Sequence, residues 1–69
     1  MTSSPIDVLQ KAREELVKAR RQIAEVLAQP YGRTRTPEAR ANFIEVQMVI
    51  DSIDKAIADE RNLNQPSST

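Results

Sequence analysis

The sequence predicts an all-α fold: an antiparallel hairpin of two helices that dimerises into a four-helix bundle. Three observations predict it. Apolar residues recur at alternating steps of three and four on both sides of one short break, which is the heptad signature of a helix packed along a seam. The break itself, around LAQPYGRTRTPEAR at 27–40, holds the only glycine and two of the four prolines. Each half also carries a wider apolar arc than one partner helix covers.

The first four residues read as a flexible N-terminus, and helix one is expected over 5–29. Ser4 is placed to cap it, Pro5 suits the first helical position, and Asp7 completes a capping box with Asp in place of Glu. Leu9, Ala12, Leu16, Ala19, Ile23 and Val26 form its seam. Charged and polar residues fill the far side, with Glu14 and Lys18 spaced as a favourable i,i+4 pair. Pro30 ends the helix by pushing its predecessor out of helical angles.

The turn is expected over 30–36 and helix two over 37–62. Thr36 and Pro37 repeat the cap-and-proline start, and Glu38 suits the positive end of the helix dipole. Ala39, Phe43, Val46, Ile50, Ile53 and Ile57 form the second seam. Residues 63–69 have the polar composition of a disordered tail. A connection this short folds the helices back antiparallel. That sets Ile23 near Phe43, Leu16 near Ile50 and Leu9 near Ile57, with Arg13 and Asp54 as a flanking cross-helix pair that fixes register.

Size and composition argue for a partner. A 69-residue chain is one domain and buries little surface alone. Such chains add disulfides, a metal or another subunit. This one has no cysteine and no histidine, which leaves association. On helix one, Ile6, Val17, Ala24 and Leu27 lie to one side of the seam. On helix two, Val49, Ala56 and Leu63 lie to the other side of theirs, and Ile44 with Met48 forms a patch on the back. The candidate association surface is therefore Val17, Ala24, Leu27, Ile44, Met48, Val49 and Ala56. The plainer alternative is that scattered apolar residues are ordinary on a protein surface. A second copy of the chain, as a homodimer, is the first partner expected, and a separate protein the next.

Catalysis is not expected. A serine nucleophile needs a base to activate it, and there is no histidine to serve Ser52. Asp51, Asp54, Asp59 and Glu60 cluster in sequence, but metal-binding bundles use Glu-x-x-His pairs, which this chain lacks. A lone Gly32 makes no phosphate loop. No cofactor or metal is expected.

The alternative function is nucleic-acid binding through the inter-helix loop. Arg33 and Arg35 precede a helix N-terminus and Arg40 follows it, a setting that attracts anions, and Tyr31 could stack on a base. Against it stands a net charge of zero. The charge is uneven: residues 1–40 hold eight Lys/Arg against five Asp/Glu, and residues 41–69 hold two against five. The plainer reading of the loop is a turn built by Pro30 and Gly32 with solubilising arginines. The N-terminus has no basic-then-apolar signal pattern and no apolar run approaches a membrane span. The expected setting is therefore cytoplasmic, with no membrane partner. No family motif is recognisable.

Overall fold

The computed structural model describes residues 4–30 and 36–64. Two helices make up the described chain: α1 over Pro5–Ala28 and α2 over Thr36–Asn64. They pack against each other and no strand is present among the described residues.

Both ends of α1 follow from side-chain chemistry. Ser4 sits in extended backbone (φ −70°, ψ 158°) and its Oγ accepts from the Asp7 backbone N–H at 3.1 Å. Its carbonyl accepts from Val8 N–H at 3.1 Å, so the first turn starts with its donors occupied. At the other end Gln29 is extended (φ −76°, ψ 136°), as expected of a residue that precedes a proline. Its N–H reaches back to the Val26 carbonyl at 3.2 Å, which occupies one of the last free acceptors.

α2 reaches Asn64, two residues beyond the expected end at 62. Nothing in Asn62–Leu63–Asn64 breaks a helix, and the next proline is Pro66. A fading apolar pattern does not stop a helix. The side chains of Thr36 and Asn64, and so the capping role of Thr36, lie outside the described set.

The helices run antiparallel in a defined register. Arg13 meets Asp54 and Arg20 meets Gln47, so seven residues up α1 correspond to seven residues down α2. Leu16 is thereby level with Ile50, Ile23 with Phe43 and Leu9 with Ile57, within a residue. The buried hydrophobic residues among those described are Ala39, Ile50, Ile53 and Ile57, all on α2. Every expected seam residue of α1 is half-buried, and none of that helix is fully buried. By this register Ala12 falls near the level of Ile53, whereas Ile50 and Ile57 stand level with Leu16 and Leu9, which stay partly open along with Ile23. The molecule is only 13 Å through its thinnest dimension, about one helix diameter, so no further layer covers either face.

Candidate association surface

Antiparallel helices are related by a local two-fold axis perpendicular to their common plane. Flanks of the same rotational sense therefore lie on the same face of the hairpin. The two cross-helix pairs mark one face and leave the other without such links.

The first face is polar along the groove between the helices. Arg13 donates from Nε to Asp54 Oδ1 at 2.6 Å and from Nη2 to Oδ2 at 3.4 Å, a side-on double contact. One turn pair along, Arg20 Nη1 donates to Gln47 Oε1 at 2.8 Å, and Gln47 Nε2 donates to Asp51 Oδ1 at 3.0 Å. Hydrogen bonding to Arg13 holds the Asp54 carboxyl below its ordinary value, aided by the opposite charge. The same bond raises the Arg13 guanidinium. Both side chains keep over two-fifths of their surface in water (42% and 47%), so salt screens the pair and its main effect is on register.

The second face is largely apolar, with some polar side chains on its flanks. From α1 it carries Val8, Ala12, Ala19 and Val26 together with Glu15 and Gln22, and from α2 it carries Val49, Ile53, Ala56 and Leu63 together with Asn42. Val8, Val49 and Leu63 are exposed at 57%, 41% and 69%. Toward the turn end, Ile23 and Val26 line an open groove with Glu38, Ala39 and Asn42.

The residues expected to form the association surface fall on three separate areas. Val17 and Ala24 lie on the outer α1 edge of the polar face, the flank that also bears Arg13 and Arg20. Leu27 lies nearer the seam on the same side, and both Val17 and Leu27 are half-buried. Val49 and Ala56 belong to the apolar face. Ile44 and Met48 lie on the back of α2, exposed at 59% and 63%. The structure thus joins Val49 and Ala56 and separates them from the other two groups. Sequence reasoning passed over Val8, Ala12 and Ala19 as their neighbours. The signal was present: Arg13 and Asp54 name the flanks of one face, and the remaining flanks must share the other.

The arrangement within α1 also differs in one ion pair. Lys18 Nζ bonds Glu15 Oε2 at 3.1 Å, rather than the expected Glu14. Carboxylates three and four residues back both lie within reach of a lysine on a helix, and Lys18 takes the nearer step.

Of the loop candidates, Tyr31, Arg33 and Arg35 lie outside the described residues. Arg40 is exposed in the first turns of α2. Among the described residues no group of three or more His, Cys, Asp or Glu is placed to hold a metal ion, and no helix is long and apolar enough to cross a membrane. Ser52 Oγ donates to the Met48 carbonyl at 3.0 Å, a common local bond for a helical serine.

The fold and this surface define a small helical hairpin with one face crossed by polar bonds between the helices and one largely apolar. Against known proteins, no family model matches the chain, no curated protein matches it, and no solved structure matches it.

Proposed function

We propose that the protein is a non-catalytic interaction module that works by self-association and by helix packing with a protein partner. One observation carries this reading. The hairpin is a single layer, and its α1 seam stays half-open along its whole length. Five large apolar residues (Val8, Ile44, Met48, Val49 and Leu63) are also exposed at 41% or more. Exposed apolar residues beside a half-open seam mark surface for a partner to cover, and a two-helix unit is marginal without further burial.

Sedimentation equilibrium at micromolar concentration tests the reading, together with thermal melts over a hundredfold range of concentration. The expected result is a mass of about two chains and a melting temperature that climbs with concentration, as mass action requires when association and folding are linked. A folded, sharply melting monomer whose midpoint ignores concentration would overturn it.

A further inference from the structure

We propose that the apolar face of the hairpin receives a second copy of the chain, the two hairpins related by a two-fold axis parallel to the helices, so that α1 of each lies on α2 of the other. This rests on the self-association reading above and adds the face and the arrangement. Three observations select them.

First, the exposed apolar residues of this face run from its open end, marked by Val8 and Leu63, to its middle at Val49. Between them Ala12 and Ala56 are small enough for a second layer to approach closely, and Glu15, which lies among them, is paired with Lys18. The opposite face is bridged by Arg13–Asp54 and Arg20–Gln47, which a docking layer would have to bury or break. Second, the area suits a dimer. Two helices side by side, about 36 Å long and about 20 Å wide, offer a footprint of about 700 Å². A specific interface takes about 800 Å² of accessible surface from each partner.

Third, the charges at the rims discriminate between the two possible axes. The α2 rim of this face carries acids, Glu45 and Asp59 among them, and no lysine or arginine. The α1 rim is mixed and holds Lys11 and Lys18. An axis across the helices would stack α2 on its own copy and set acid against acid. An axis along the helices stacks α1 on α2 and allows no slide between layers, so the register within the hairpin repeats across the interface. Lys11 then comes within about one helical turn (~5.4 Å) of the level of Asp59, and Lys18 within the same distance of Glu45. The face is complementary to itself, which is what a two-fold contact requires.

The test uses the full chain. Val49→Glu places a charge in the apolar face and Met48→Glu places one on the back of α2, each read by sedimentation equilibrium. Val49→Glu is expected to raise the dimer dissociation constant about 30-fold or more, the effect of burying an unpaired charge at an interface, and Met48→Glu is expected to leave it within about twofold. A variant near the turn, Gln29→Cys, serves where a charge unfolds the chain. With the axis along the helices, both Gln29 positions sit at one end, about 14 Å apart on the diagonal of a bundle whose neighbours are about 10 Å apart. A bismaleimide of that span then gives a covalent dimer. With the axis across the helices they lie about 36 Å apart and no such product forms. Dimerisation that survives Val49→Glu but not Met48→Glu overturns the assigned face and leaves self-association standing, and failure of the Gln29 cross-link in a dimer overturns the assigned axis. A folded wild-type monomer overturns both.

Discussion

Replacing Ile50 by alanine tests the seam at its tightest point. Ile50 is 1% exposed and is the largest fully buried side chain among the described residues. The change removes three carbons, worth about 0.8 kcal/mol each in transfer free energy, or about 2.4 kcal/mol. A residual cavity adds to this, although in a single layer the walls can partly close, so a total of about 3 kcal/mol is expected, inside the ~2–5 kcal/mol range for such substitutions. A chain of this length commands roughly 3–10 kcal/mol in all, at about 0.05–0.15 kcal/mol per residue. Ile50→Ala should therefore remove a third or more of the stability. At about 4–8 °C per kcal/mol for a small domain, the melting temperature should fall by roughly 12–24 °C. The comparison is Met48→Ala two residues away. Met48 is 63% exposed, so about a third of a full methionine burial is at stake, roughly 0.5–1 kcal/mol, and both residues are good helix formers. Circular-dichroism melts at one fixed protein concentration decide the matter, since concentration shifts the midpoint of an associating chain. If Met48→Ala costs as much as Ile50→Ala, the seam assignment for α2 is wrong and the packing must be rebuilt around Ile44 and Met48.

Other outcomes follow from local chemistry. Ser4→Ala removes the acceptor for the Asp7 N–H and should lower stability by about 1 kcal/mol, the usual worth of an N-cap; Ser4→Thr should restore most of it in the same melts. Asp54 has its carboxyl held below the ordinary value in the fold, so the folded state binds a proton less readily than the unfolded one. Its contribution is complete above the unfolded carboxylate value of about 3.9 and is lost as pH falls through the lower folded value. Between about pH 5 and pH 2 the wild-type melting temperature should thus drop more steeply than that of Asp54→Asn. Electrophoretic mobility of mixed RNA and DNA at low salt should be unchanged by the protein. A salt-dependent shift that is lost on changing Arg33, Arg35 and Arg40 together to alanine would instead favour the loop as a nucleic-acid contact.

Much of the hairpin could be read from one sequence because its signals are local and repeat. Ser4–Pro5 and the pre-proline Gln29 set the bounds of α1 through backbone geometry. The spacing of Ala39, Ile50, Ile53 and Ile57 marked the residues the structure buries, and Arg13 and Asp54 were recognisable as partners from antiparallel register. Unequal burial was not legible. Both helices carry similar heptads, yet among the described residues only α2 has fully buried ones. Ile50 and Ile57 are buried although Leu16 and Leu9, level with them, stay half-open, so heptad position alone does not rank the two sides. Likewise the choice of Glu15 over Glu14 by Lys18 is a rotamer outcome between two equivalent spacings.

The division into faces is a different case, because it follows from symmetry and needs no coordinates once the helices are known to be antiparallel. An apolar residue one step clockwise of the α1 seam and one step clockwise of the α2 seam must share a face. Val17 and Val49 are offset in opposite senses, so they are set apart, and no rotation of either helix within the register held by Arg13–Asp54 and Arg20–Gln47 brings them together. The consequence reaches function. A partner that reads the hairpin through Val49 and Ala56 does not touch Val17 or Ala24, while Ile44 and Met48 face a third direction. With one copy seated on the apolar face, the back of α2 remains open on both sides of the resulting bundle. Under the proposal above, self-association would draw on residues other than those a separate protein would meet on the back of α2, and the two would not compete. The two activities should be separable by substitution, with Val49→Glu abolishing the first and Met48→Glu the second.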